Sequence, residues 1–180
     1  MAVAISKCEV KEKMMRNRMS VLIVTALLAV SQSLLAQEVS KQSEEQARRE
    51  QLRIAVQEIC PISGQKLGSM GEPIKVTVGE SKEEVYLCCK GCLKREIDPK
   101  HWATIHHNLA VAQGKCPIMK KELPKKVKWT VVEGQLIYVC CPPCIKKIEA
   151  NPEESRAQVD AYYTAYLEKK AEEEKRREVR

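Results

Sequence analysis

The chain has 180 residues, a formal net charge of +7, nine cysteines, no phenylalanine and only 4% aromatic residues. That complement excludes a large aromatic core, and small domains with thin cores are usually held by disulfides or a structural metal. With 31% charged residues, much of the charge in the flanks, the composition fits one modest domain or two very small ones.

Residues 1–36 read as an N-terminal extension followed by an export signal. Arg16 and Arg18 form a basic n-region, Val21 to Val30 is an apolar run, and small residues lead up to Ala36 and Gln37. Cleavage is expected after Ser33 or Ala36. The run is short for a membrane span; the alternative is an uncleaved anchor over residues 19–36, and only then is a membrane a partner. Translation from Met14, Met15 or Met19 would leave Cys8 out of the mature chain. The expected compartment is extracytoplasmic, periplasmic or secreted. Removing residues 1–36 takes away five of 31 basic and two of 24 acidic residues, leaving a net charge of +4. So mild a balance on an exported chain argues against nucleic acid.

Residues 37–57 are a predicted polar helix and linker. Its apolar stripe, Leu52, Val56 and Ile59, sits at the C-terminal end and is expected to dock on the first module. The segment Glu44–Glu50 reads as a solvated face or a spacer.

The body is an internal repeat, with modules at 58–112 and 113–153. Cys60-Pro61-Ile62 and Cys116-Pro117-Ile118 lie 56 positions apart, Ile74–Val78 and Val127–Val131 lie 53 apart, and Cys88 and Cys140 lie 52 apart. The residues lost fall in loops, where deletions are tolerated. In each copy, alternation at Ile74, Val76 and Val78, or at Val127, Trp129 and Val131, predicts a half-buried strand. A turn and a return strand follow (Val85–Leu87, Leu136–Val139). Leu93–Ile97 and Ile145–Ile148 suit short helices, and Asp98-Pro99 and Asn151-Pro152 suit the cap and first residue of another. Residues 154–180 form a predicted charged C-terminal helix, with Val159, Tyr162, Tyr163, Tyr166 and Leu167 packing on the second module.

Each repeat supplies four thiols: Cys60, Cys88, Cys89 and Cys92, then Cys116, Cys140, Cys141 and Cys144. Four sulfurs suit a tetrahedral site for a soft or borderline ion, zinc or copper(I). A helix N-terminus would favour the thiolates, aided by Lys90 or Lys94. Neighbours on an extended strand point to opposite faces, so Cys88 and Cys89 can share an ion only if the strand ends between them. Two alternatives stand beside metal. Eight mature cysteines in an exported chain also suit a disulfide-stabilised interaction protein. Cys141-Pro-Pro-Cys144 has the spacing of thiol–disulfide redox sites, although no βαβ pattern surrounds it.

The run Cys60-Pro-Ile-Ser-Gly, a hairpin, then Tyr86-Leu-Cys-Cys-Lys-Gly-Cys-Leu-Lys94 and Asp98-Pro99 resembles the TRASH and YHS-like metal-binding modules, over about residues 58–102 and again over 114–153. The YHS signature itself is absent. The resemblance implies small treble-clef-like or zinc-ribbon-like domains that handle heavy metals. It also implies a cysteine framework of Cys60, Cys88 and Cys92, and of Cys116, Cys140 and Cys144; Cys89 and Cys141 are the candidate fourth ligands. His101, His106 and His107 occur in one repeat only and read as surface residues; Met70 and Met119 read as gap-fillers. No arrangement of nucleophile, base and oxyanion site is visible, so the reading is not an enzyme. The expected protein is α+β, with two tandem hairpin-plus-helix modules between polar helices. It binds a metal ion, and its terminal helices offer surfaces to a protein partner.

Overall fold

Two β-hairpins and four α-helices make up residues 41–178, the part of the chain that the computed structural model describes. The expected export signal and Cys8 lie outside these residues. No helix among those described is long and apolar enough to cross a membrane.

Helix α1 covers residues 41–57. Strands β1 (Ile74–Val78) and β2 (Glu83–Leu87) follow, then a 3-10 turn at Lys90–Lys94 and helix α2 (Pro99–Gln113). The second copy gives β3 (Lys128–Val132), β4 (Gln135–Val139), α3 (Pro143–Ala150) and α4 (Pro152–Glu178). The architecture is mixed α+β, as the alternating strands and helical segments predict. Both sheets are antiparallel pairs, with Val76 opposite Val85 and Thr130 opposite Ile137. Glu133 and Gly134, both at positive φ (47° and 77°), close the second hairpin in two residues, the backbone that matches strand twist. Asp98 caps α2 by accepting the Lys100 N–H at 2.7 Å, and Pro99 needs no such partner because it has no N–H. The short helix expected at Leu93–Ile97 is displaced: the 3-10 turn comes three residues earlier, and Leu93 is exposed.

A buried glutamine closes the open edge of each return strand. Gln57 donates to the Tyr86 carbonyl at 2.7 Å and accepts from the Tyr86 N–H at 2.9 Å. Gln113 repeats this on Tyr138 with the same two lengths, 2.7 and 2.9 Å. Each amide also donates 2.9 Å to a carbonyl two residues on, Ile59 or Lys115. A side-chain amide has the donor and acceptor of a peptide unit, so each glutamine pairs with its strand as a single residue of a further strand would.

Apolar packing divides into two clusters. The smaller holds Cys60, Leu67, Tyr86, Leu87, Cys88 and Cys92. The larger is built on the second hairpin and takes in Ile105, Leu109 and Ala112 from α2 together with Val159 and Tyr163 from α4. The packing unit of the second hairpin therefore begins at α2, ahead of the 112/113 boundary drawn from the repeat. The α1 stripe also behaves differently from expectation. Val56 and Ile59 join the second cluster, while Ile54 packs on the first.

Arg53 on α1 ties the hairpins together. Its guanidinium pairs with the Glu84 carboxylate at 2.9 Å and donates to the carbonyls of Glu84 (3.1 Å) and Gly134 (3.0 Å). The Glu84 N–H donates to the Gly134 carbonyl at 2.8 Å. A Cβ at Gly134 would stand 2.4 Å from Glu84 Cγ, so this junction requires glycine.

Beside the junction, Glu83 is buried with Oε1 unpartnered, 3.8 Å from the equally unpartnered Nε2 of His106. Burial raises the Glu83 carboxyl to about 7, against the opposing pull of Arg53. His106 is held towards neutrality by its own burial. A carboxyl whose folded pKa exceeds its unfolded value contributes stability in full below the unfolded pKa and loses it as pH rises through the folded one. Glu83→Gln is thus expected to match the wild type near pH 4.5 and exceed it above pH 7 by roughly 3 kcal/mol. Urea midpoints across that range check it; parallel curves for the two proteins would contradict it.

Candidate metal centres

Both clusters are assembled in the same way. Cys60 and Cys116 are fully buried at the start of a tight knuckle. The Cys60 N–H donates to the Gln65 carbonyl at 2.8 Å and Gly64 N–H to the Cys60 carbonyl at 3.0 Å; Cys116 with Lys121, and Lys120 with Cys116, repeat the pattern at 2.9 and 2.8 Å. Strand β2 ends at Leu87, before both adjacent cysteines. The opposite-face rule for strands therefore does not separate Cys88 from Cys89, whose sulfurs are 3.9 Å apart. The 3-10 turn then delivers Cys92, and α3 delivers Cys144.

The sulfurs of Cys60, Cys88 and Cys92 all lie within 4.8 Å of one another, as do those of Cys116, Cys140 and Cys144. In the first cluster Cys92 Sγ is 3.8 Å from both Cys60 and Cys88, and Cys89 Sγ is 4.0 Å from Cys92. Zinc–sulfur bonds of about 2.3 Å in a tetrahedron place sulfurs about 3.8 Å apart. Bonded disulfide sulfurs would stand about 2.05 Å apart. The donor set and spacing of the Cys60, Cys88 and Cys92 triad therefore fit a thiolate metal site, while Cys89 approaches Cys88 and Cys92 but lies outside the group of mutually close sulfurs. In the second, Cys140 Sγ is 3.8 Å from Cys141 and 3.9 Å from Cys144, while Cys141 and Cys144 approach to 3.2 Å.

The electrostatics divide the thiols. Burial pushes Cys60 up, but N–H groups of Ser63, Cys88 and Ile62 and the Ser63 hydroxyl outweigh it and bring the thiol down to about 7. Cys116 is lowered in the same sense: burial raises it, and N–H groups of Cys140, Met119 and Ile118 prevail. Burial first, then the neighbouring sulfurs, raises Cys92 to about 12 and raises Cys144 also. Thiols lowered at Cys60 and Cys116 beside thiols raised at Cys92 and Cys144 are the arrangement a cation would complete by displacing the remaining protons. The leading stabilisers are backbone amides, as a helix N-terminus would supply; Lys90 and Lys94, the helpers expected from the sequence, are not among the leading causes.

None of the histidines joins a triad. His106 is not a surface residue: Tyr138 Oη stands 3.0 Å from its Nδ1 and donates to its carbonyl at 2.9 Å. His107 is exposed. The ring of His101 lies over Gly64, where a Cβ would come within 2.5 Å of Nε2. Met70 and Met119 are exposed rather than filling gaps. The sequence also ranks the second knuckle as weaker, because Lys120 stands where the first has Gly64. The structure removes that ranking. Lys120 adopts φ 55° beside 68° for Gly64, but at the preceding turn the exchange is reversed, with Glu58 at 65° and Gly114 at 59°. Over these two turns each repeat carries one non-glycine residue in the left-handed region, at a similar cost of about 1 kcal/mol.

Gln57 and Gln113 are the supporting residues that the sequence reading missed. Extending the alignment three residues upstream of each Cys-Pro-Ile gives Gln57-Glu-Ile-Cys60 and Gln113-Gly-Lys-Cys116, at the unchanged offset of 56. The chain matches no protein-family model, and no curated protein or solved structure is similar enough to it to count as a match.

Proposed function

We propose that the protein is an extracytoplasmic metal-binding protein that holds one zinc or copper(I) ion in each repeat. It would use Cys60, Cys88, Cys89 and Cys92 in the first and Cys116, Cys140, Cys141 and Cys144 in the second. The observation that carries this reading is the pair of cysteine triads brought within 4.8 Å at equivalent places in two repeats. The sequence resemblance to TRASH and YHS-like modules, with their treble-clef-like folds, points the same way, and the export signal gives the compartment. The role proposed is binding and handling of the ion rather than catalysis.

One observation favours a second reading. Cys141 and Cys144 are near enough, at 3.2 Å, for oxidation to join them after a small movement. Chelator and reductant separate the two chemistries, because metal binding needs deprotonated thiolates whereas a disulfide yields to reductant. With protein purified from its native compartment, we expect two ions per chain by elemental analysis. Helical and hairpin dichroism should be lost in chelator at neutral pH and retained in mild reductant. Metal-free protein that unfolds only in reductant would replace this reading with a disulfide scaffold.

A further inference from the structure

Outside the thiol clusters, one surface departs from the symmetry of the repeats. Residues 114–130 carry six lysines (115, 120, 121, 125, 126 and 128) against the single acid Glu122, whereas the equivalent residues 58–77 carry two lysines and two glutamates. In the first repeat Lys75 pairs with Glu50 and Glu58 with Lys170. The six lysines of the second repeat form no ion pair among the described residues. All six are exposed.

One of these lysines, Lys125, lines a groove of about 560 Å³ between α2 and the second hairpin. Its walls are mixed in character, with Val111, Leu123, Val127 and Trp129 as the apolar part. Val111 and Trp129 remain 48% and 45% exposed, although strand alternation predicts an inward Trp129. The ring of Trp129 is held edge-on to His106, with centroids 6.0 Å apart, so the indole is propped against the wall. The Tyr138 hydroxyl in the floor is already engaged by His106. The polar side chains of the lining left to meet an occupant are His107 and Lys125; Lys126 and Lys128 follow close in the chain.

We propose that this groove binds a short acidic polypeptide segment, with an apolar side chain seated beside Trp129 and Val111 and flanking carboxylates on Lys125 and the neighbouring lysines. The proposal is independent of what the thiolate clusters hold. Three features select that occupant. A concave site of this volume falls within the range of ligand clefts, about 300–1,000 Å³, and a flat bilayer cannot fill it. The unpaired Lys125 beside Val111 and Trp129, in a segment that carries five more unpaired lysines, complements carboxylates, which steer encounter and fix register while the apolar anchor supplies affinity. A second copy of this chain fits poorly, because its acidic run Glu172–Glu174 is bracketed by Lys169, Lys170 and Lys175–Arg177.

The test uses the full mature chain as purified, with its metal content unchanged. The probe is a short synthetic peptide in which Asp and Glu flank two leucines. Controls are the same peptide with Lys for the acids, with Ser for the leucines, and vesicles of phosphatidylcholine with phosphatidylglycerol. We expect saturable shifts in the NMR signals of His107, Val111 and the Trp129 indole N–H with the acidic leucine peptide alone. The triple change Lys125→Glu, Lys126→Glu and Lys128→Glu should weaken binding at least about tenfold, and added salt should weaken it too. Trp129→Ala should weaken binding without changing metal content. No saturable shift at millimolar peptide, an equal response to the lysine peptide, a response to vesicles only, or shifts that follow protein concentration alone would each overturn the proposal.

Discussion

Replacing Cys144 with serine is expected to remove one metal ion per chain and to unfold most of the structure with it. Cys144 is 2% exposed and belongs to the cluster that joins the second hairpin to Val56 of α1, Ile105 of α2, and Val159 and Tyr163 of α4. Structural zinc contributes about 10–16 kcal/mol to zinc-finger peptides, which matches or exceeds the 5–15 kcal/mol total stability of ordinary domains. The equivalent change Cys92→Ser should lose one ion as well but loosen only the first hairpin, whose cluster is smaller and contains no helix beyond the margin of α1. Elemental analysis and thermal melts of the two variants check both halves. A Cys144→Ser protein with full metal content and an unchanged melt would remove Cys144 from the ligand set.

The second large effect is expected from Gln113→Leu, which keeps the volume and deletes the amide. Gln113 is 1% exposed, and its loss strands the N–H and carbonyl of Tyr138 along the edge of β4. Each buried polar group left without a partner costs about 1–3 kcal/mol, so a loss of roughly 3–5 kcal/mol is expected. Denaturant midpoints measure the loss, and hydrogen exchange at the Tyr138 amide locates it. Gln57→Leu should act in the same way on Tyr86. If exchange at Tyr138 is unaltered in a destabilised Gln113→Leu protein, the cost lies in packing and the edge-closing role is refuted.

What could be read from the sequence follows the range over which each signal acts. Period-two alternation over Ile74–Val78 marks a strand because each side chain reports its own face, and the hairpin forms there. The cysteine spacing is likewise local to each strand end and knuckle, and the structure brings those sulfurs together. Trp129 obeys the same alternation yet is half exposed, because nothing in a strand pattern says whether another element covers that face. Val56 and Ile59 are legible as an apolar stripe, but which hairpin receives them depends on packing between segments far apart in the chain. Gln57 and Gln113 read as ordinary polar helix residues. Their burial is decided by strand edges 25 to 29 residues downstream, beyond the reach of a periodic pattern. The short helix after Cys89 starts early because Cys92 must turn back towards Cys89, whose carbonyl accepts its N–H at 3.2 Å.

Helix α2 follows one sulfur cluster and supplies the glutamine that closes the next hairpin. A cut made where the Cys-Pro-Ile motifs begin would therefore leave the downstream fragment with a bare strand edge and the upstream one with an apolar helix face facing water. The piece that can be moved, duplicated or grafted intact starts a helix earlier, with α2 leading its knuckle and hairpin. A third copy inserted in that phase would find its edge already provided for, whereas one inserted in the phase of the cysteine motif would arrive with an exposed strand able to pair with other chains.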